Sequence, residues 1–166
     1  IYGPGNYNPI ERWFFDRIIH KKIIPIPGDG STITQLGHVQ DLVNAITLSL
    51  ENTQSENKIY NCSGKQGVTF LGLLEKCSIA CGFDPLEVKY IFFDSTKLDS
   101  KARKLFPLRL EHFFTDVSLL QDDLDWEPFF NLQDGLVDSY NNDYLLNPSK
   151  VIDFSSDLKL IEKSSN

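Results

Sequence analysis

The amino-acid sequence predicts an α/β protein built around a mostly parallel but incomplete sheet. Three observations carry this. Short β-prone runs alternate with amphipathic helical stretches. The helical stretches have recognisable starts and stops. Only about three strands are legible, too few crossovers for a complete doubly wound sheet. A half-sheet leaves a long apolar edge, which is a liability for a chain on its own.

The elements follow in order along the chain. Asn8 to Lys22 reads as a helix. Asn8 stands at the cap, Pro9 at the first helical position and Glu11 three after the cap, as in a capping box. Ile10, Phe14 and Ile18 form its apolar stripe, with Trp13 beside it, and His20, Lys21 and Lys22 suit its carboxyl end. Ile23 to Pro27 is extended, but Pro25 and Pro27 forbid a central strand. Gly28-Asp29-Gly30-Ser31 is a turn. Thr32 to Val39 reads as a strand, and Asp41 as the cap of a helix with Leu42, Ala45, Ile46 and Leu50 inward.

Lys58 to Cys62 is a second strand, followed by a turn through Gly64 and Gly67. Thr69 caps a helix whose face is Phe70, Leu73, Leu74, Cys77, Ala80 and Cys81, stopped at Gly82. Val88 to Phe93 is a third strand, and Asp94 to His112 is irregular and partly basic. Asp116 caps a short helix with Val117, Leu120 and Leu124 inward, broken by Trp126-Glu127-Pro128. Leu132, Leu136, Tyr140 and Tyr144 mark a last helix. Residues 1–149 read as one region, and residues 150–166 as a polar, loosely held tail.

Composition bounds the function. With 41% apolar residues and 12 Phe among 166, the chain can bury a core. A net charge of −7 argues against a general nucleic-acid binder and leaves room only for a local basic patch. No apolar run nears the roughly 18 residues of a membrane span, so no membrane partner is expected. Ile1-Tyr2-Gly3-Pro4-Gly5 has neither the basic nor the apolar region of a signal peptide and reads as an internal start. Cys62, Cys77 and Cys81 read as reduced thiols in a reducing compartment, with no second pair or histidine at metal-ligand spacing.

The ordered motifs carry a resemblance. Tyr2-Gly3-Pro4-Gly5 before a helix, Gly28-Asp29-Gly30, His38-Val39-Gln40-Asp41-Leu42, Tyr60-Asn61-Cys62-Ser63-Gly64 before Val68-Thr69-Phe70, Trp126-Glu127-Pro128 and Leu132-Gln133-Asp134-Gly135-Leu136 follow one another. This order resembles the second half of the NAD-dependent epimerase/dehydratase family. The resemblance implies a Rossmann-like extended short-chain dehydrogenase/reductase fold, of which this stretch would supply the last sheet strands and the small substrate-binding lobe. Gln35 to Val39, Phe106-Pro107-Leu108-Arg109, His112-Phe113-Phe114, Asp138-Ser139-Tyr140 and Asp153-Phe154 resemble more closely an atypical branch, the chloroplast stem-loop RNA-binding proteins and their cyanobacterial relatives. That branch implies RNA binding, endonuclease activity and transcript stability, in the plastid stroma or the cyanobacterial cytoplasm. It implies RNA, an N-terminal lobe of the same chain and a homo- or hetero-oligomer as partners. The alternative is an NAD(P)-dependent sugar-nucleotide epimerase, dehydratase or reductase.

The family's chemistry is only partly present. A dinucleotide site needs a glycine-rich loop entering a helix, so that backbone N–H groups meet the pyrophosphate. No such loop occurs here, and no Tyr is followed four residues later by Lys. The stretch by itself is therefore expected to hold no cofactor and to carry no catalytic residue, with NAD(P) reserved for a full-length protein. In the family, Tyr2, Gly3, Pro4 and Asn6 would line the cleft; the plainer reading is a turn that steers the chain into its helix. Where sugar-nucleotide enzymes place an Arg to grip pyrophosphate, this chain has Thr34. His38 invites a catalytic role but reads first as a hydrogen-bonded structural residue.

The segment from Lys97 to His112 is the RNA candidate. Lys97, Lys101, Arg103, Lys104, Arg109 and His112 offer cations, and Phe106, Phe113 and Phe114 offer stacking faces. Its plainer reading is a solvated loop whose Phe residues fill the core, and Arg109 also fits a phosphate-gripping role. Asp122, Asp123 and Asp125 point in different directions on a helix and make no metal ligand set. Asp125 stands where the family has Gly, as a tolerated change at a helix end.

Overall fold

The helix after the Gly-Pro-Gly loop sets the centre of the structure. In the computed structural model, which describes residues 1–8, 10–148 and 151–165, this helix, α1, spans Ile10–Ile19. Phe14, Phe15 and Ile18 are fully buried on it. The first-position role of Pro9 lies outside the described residues, as does Lys150, the first residue of the tail. Lys21 ends the helix in the left-handed region at φ 51°.

Strand β1, Ile24–Pro27, pairs in parallel with β4, Tyr90–Phe93, with Ile24 opposite Tyr90 and Pro27 opposite Phe93. Ile24 N donates to Lys89 O and Gly28 N to Phe93 O. Pro25 and Pro27 fall on the alternate positions, whose N–H would point away from β4. The prolines thus confine β1 to pairing on one side. Between these strands, β2, Ile33–Thr34, pairs antiparallel with β3, Val68–Thr69. Isolated bridges join Tyr2 to His38 and Thr34 to Phe113.

Helix α2, Val39–Glu51, begins earlier than the sequence predicts. His38 is its cap, accepting from Gln40 N at 3.3 Å through Nδ1. Asp41 therefore lies inside the first turn and is no cap; it is buried and accepts from Phe129 N at 2.7 Å. The expected inward face also turns out differently. Ala45 is buried, but Ile46 and Leu50 are 52% and 83% exposed. The predicted strand over Lys58 to Cys62 has no ladder partner among the described residues, and Ile59 is 90% exposed. A strand is defined by its neighbour, and local β-propensity cannot supply one.

Helix α3, Phe70–Ala80, matches its sequence signature. Thr69 Oγ1 accepts from Gly72 N at 3.0 Å, and Phe70, Leu73, Leu74 and Cys77 are buried. Gly82 stops it at φ 78°. Burial pushes the Cys77 thiol well up and the Cys81 thiol up to about 12, so neither is a reactive thiolate. Helix α4, Ser118–Leu124, buries Leu120 and Leu124 beside Trp126, whose Nε1 donates to Asp41 O at 3.1 Å. Asp125 closes α4 in the left-handed region, at φ 49° and ψ 37°. Helix α5, Leu132–Ser139, widens into a π-turn over Tyr140–Tyr144.

The polar tail is not loosely held. Helix α6, Ser155–Ser165, packs on the β1–β4 ribbon and on the turn at Ala102–Leu105. Leu160 is fully buried, and Arg17 Nη2 meets Asp157 Oδ1 at 2.6 Å with both side chains under 10% exposed. Arg17 also lies 3.7 Å from the centre of the Trp13 ring. Leu160, the buried Arg17–Asp157 pair and the Phe154 ring beside His20, Arg17 and Lys22 fix a segment that composition alone reads as solvated.

Candidate functional site

The predicted cleft residues Tyr2, Gly3 and His38 come together in one buried knot. Tyr2 is 1% exposed, and its ring meets His38 edge-on at 5.2 Å between centroids. Gly3 adopts φ 111°, and a Cβ there would stand 2.7 Å from His38 Nε2, so only glycine fits. Gly3 N donates to Glu11 Oε1 at 2.9 Å, and Ser139 Oγ donates to the same oxygen at 2.8 Å. Glu11 is thus a buried strut between the loop and α5, and does not close a capping box.

The titrating groups of the knot are tuned toward neutrality. Burial raises the Glu11 and Asp41 carboxyls above their ordinary range. Burial, reinforced by Asp41 and Glu11, raises the Tyr2 phenol, which stays protonated and serves as no base. Burial lowers His38, against the pull of Asp138 and Asp41. Because Nδ1 accepts from Gln40 N, the proton of neutral His38 sits on Nε2. Nε2 lies 3.2 Å from Asp138 Oδ2, within ion-pair reach but without hydrogen-bond alignment. Phe130 lies across the ring at 4.0 Å. His38 is thereby walled in and presents no nitrogen to a cleft. Asn6 Nδ2 donates to Ile1 O at 2.8 Å and Asn8 O at 2.5 Å and staples its own loop, beside the half-buried Pro4.

Thr34 and Arg109 belong to a second place. Thr34 is 5% exposed and bridges to Phe113, and the exposed Arg109 guanidinium sits 4.4 Å from the Phe113 ring centre. Phe113 N donates to Ile33 O at 2.9 Å, and His112 Nδ1 accepts from Ile33 N at 3.0 Å. Gln35 ties this strip to the neighbouring loop, accepting from Thr115 N at 2.7 Å and donating to Gly64 O at 2.5 Å.

The basic segment is divided by the fold. Lys97, Lys101, Arg103 and Lys104 lie on the two short turns that α6 contacts, whereas Arg109 and His112 lie along β2. Arg103 pairs with Glu111 at 2.6 Å. Phe106 is a core residue, 3% exposed among Trp13, Phe14, Phe70 and Phe93. Phe114 is 67% exposed. Among the described residues no group of His, Cys, Asp or Glu is arranged to hold a metal. Asp123 instead accepts from Lys58 Nζ at 2.6 Å and Tyr60 Oη at 2.9 Å.

Sequence reasoning missed the joint work of Glu11, Asp138, Ser139 and Gly135. The partner of Glu11 is 128 residues away, and no local pattern reports such a contact. Gly135 is tied to Tyr2 in the same way, since a Cβ there would stand 2.8 Å from Tyr2 Cζ.

Residues 1–63 match the NAD dependent epimerase/dehydratase family. The chloroplast stem-loop binding protein of 41 kDa b of Arabidopsis thaliana is 42% identical over 164 residues, covering 98% of this chain and 43% of that protein. A probable GDP-L-fucose synthase 1 of Oryza sativa subsp. japonica is 27% identical over 150 residues, covering 84% and 41%. The dTDP-glucose 4,6-dehydratase of Bacillus anthracis superposes with a TM-score of 0.65 at 21% identity, over 89% of this chain and 42% of that one. The chain thus spans less than half the length of these relatives, and the structural likeness establishes the fold: a Rossmann-like fragment that matches extended short-chain dehydrogenase/reductase structures over most of the chain. Over residues 1–63 the chain thus matches the NAD-dependent epimerase/dehydratase family, and its relatives and fold agree with that match.

Proposed function

We propose that this chain is part of an RNA-associated, atypical member of its family, acting in RNA binding and transcript stability in the plastid stroma or a cyanobacterial cytoplasm. The observation that carries this reading is the 42% identity, along 98% of the chain, to a chloroplast protein whose name records stem-loop binding. Thr34 supports it, because it leaves no guanidinium where a sugar-nucleotide pyrophosphate would be gripped. Arg109 over Phe113, with Phe114 exposed beside it, supplies a cation and stacking faces in the same strip.

A second lobe of the same protein is part of the proposal. The outward residues Ile46 and Leu50 on α2 and the unpaired segment around Ile59 form an apolar margin of the kind that another lobe covers. That lobe would hold NAD(P), if the full protein binds it, and assembly into homo- or hetero-oligomers would follow from it. The test is RNA binding against salt by the full-length protein, with Lys101, Arg103, Lys104 and Arg109 neutralised. Each lost phosphate contact should lower affinity and reduce the salt slope by about one. Unchanged affinity and slope in all of these variants would place any RNA surface elsewhere, and a wild-type protein without RNA affinity would overturn the reading.

The second reading is an NAD(P)-dependent sugar-nucleotide epimerase, dehydratase or reductase, favoured by the likeness to the rice protein named as a fucose synthase. An intact glycine-rich loop and a Tyr-x-x-x-Lys pair elsewhere in the full protein, with tight NAD(P) binding, would support it over the first.

A further inference from the structure

A groove beside the Tyr2–His38 knot has no role in anything above. It measures about 520 Å3 and runs between the Gly64–Val68 loop and the Pro128–Leu132 turn, with Tyr2 and His38 in its floor. This is the size of a small-ligand site. Phe129 stands along it 72% exposed, although its backbone is pinned through the 2.7 Å bond to Asp41. Phe130 lies next to it against His38. Lys65 and Lys76 also line the groove, with the exposed amide of Gln66. Lys65 meets Glu127 at 2.5 Å in a pair whose partners are both more than half exposed, so water and other anions compete for it. Lys76 makes no ion pair among the described residues.

We propose that this groove receives one unpaired nucleotide of an RNA loop. The base stacks on Phe129, the Gln66 amide meets the base edge, and Lys65 and Lys76 meet the flanking phosphates. The inference rests on the RNA reading above and adds the place where a loop nucleotide is held, lined by residues outside the Lys97 to His112 segment. The combination selects the ligand. An apolar partner would leave the Lys76 ammonium without an anion, and an inorganic anion would leave the Phe129 face bare. A planar base joined to a phosphate satisfies both, and only an unpaired base can offer its face. Anchoring at Asp41 holds the Phe129 backbone in place before binding, which lowers the ordering cost.

The experiment measures fluorescence anisotropy of the full-length protein with an RNA stem-loop and with a fully paired duplex of the same stem. Phe129→Ala, at an exposed side chain, should weaken stem-loop binding about tenfold and leave duplex binding unchanged. Lys76→Gln should weaken stem-loop binding and reduce its salt slope by about one. Wild-type affinity for the stem-loop in both variants would overturn the inference while leaving the RNA reading intact. Displacement of the stem-loop by micromolar free AMP or UMP would also overturn it, assigning the groove to a free nucleotide. A wild-type protein that binds neither RNA would instead sink the RNA reading itself, a failure recognisable without any variant.

Discussion

Gly135→Ala is the sharpest probe of how the site is built. Gly135 lies in α5, where alanine is otherwise favoured over glycine by about 1 kcal/mol. Here a Cβ would stand 2.8 Å from Tyr2 Cζ, closer than side-chain carbons approach, with the phenol oxygen nearer still. Tyr2 cannot swing aside, because it is 1% exposed and its ring abuts His38. Either α5 shifts or Tyr2 leaves its seat, and overpacking of this kind costs about 1–3 kcal/mol. Unseating a buried aromatic side chain costs a similar amount. Subtracting the helix gain leaves a net loss of up to about 2 kcal/mol, or a fall in melting temperature of up to about 8 °C for a chain of this size. Thermal unfolding by circular dichroism measures it, alone and in a Tyr2→Phe background. Removing the hydroxyl relieves the closest contact, so the two substitutions should couple by roughly 1 kcal/mol. A melting temperature that rises, or two effects that simply add, would refute the account of Gly135 as the floor beneath Tyr2.

Two other outcomes test the buried charges. The Glu11 carboxyl is held above its ordinary value of 4.5, so its favourable contribution is full below that value and is lost as pH rises through the folded-state value. Glu11→Gln should therefore melt higher than wild type at pH 8, with the gap closing toward pH 4; a gap independent of pH would contradict the burial argument. Asp157→Ala leaves Arg17 buried without its carboxylate, a loss of about 3–5 kcal/mol if nothing moves. The burial of Leu160 that would be given up by releasing α6 is worth only about 1.5–3 kcal/mol, so α6 should come away instead. Limited proteolysis should then cut between residues 151 and 160 faster than in wild type, with a melting temperature lowered by about 3–12 °C; equal cleavage rates would mean that the pair does not hold α6.

The parts of the fold legible in the sequence are those settled by near neighbours. Thr69 and the apolar spacing from Phe70 to Cys81 specify α3, because a cap and a helical face both lie within a few residues of each other. The prolines of β1 foretell single-sided pairing for the same reason. What stayed hidden depends on distant chain. His38 takes the cap from Asp41 because Asp41 is needed by Phe129, 88 residues away. The outward turn of Ile46 and Leu50 and the lone extended segment at Ile59 show that periodicity marks which face is apolar but not what covers it. In the site, the motif order placed Tyr2, Gly3 and His38 in one cleft; Tyr2 and His38 do line the groove beside the Gly64–Val68 loop, while the Glu11 to Ser139 bond, which no local pattern reports, draws the Gly3 loop against α5.

The Thr34 strip then bears on which chemistry this member of the family keeps. Gripping a pyrophosphate takes several charge-assisted bonds at once, each worth about 1.5–3 kcal/mol. With Thr34 buried in a strand pair, Arg109 is the guanidinium remaining in the strip, and it lies against the face of Phe113. A stacked, exposed guanidinium can still meet one phosphate from its edge while its face is occupied. Such a group suits a polymer that offers many phosphates in succession, because each contact can be weak when the next is close by. It suits a single small diphosphate poorly, because there the missing bonds have no substitute. The strip as it stands offers one exposed guanidinium, and that group lies against an aromatic face.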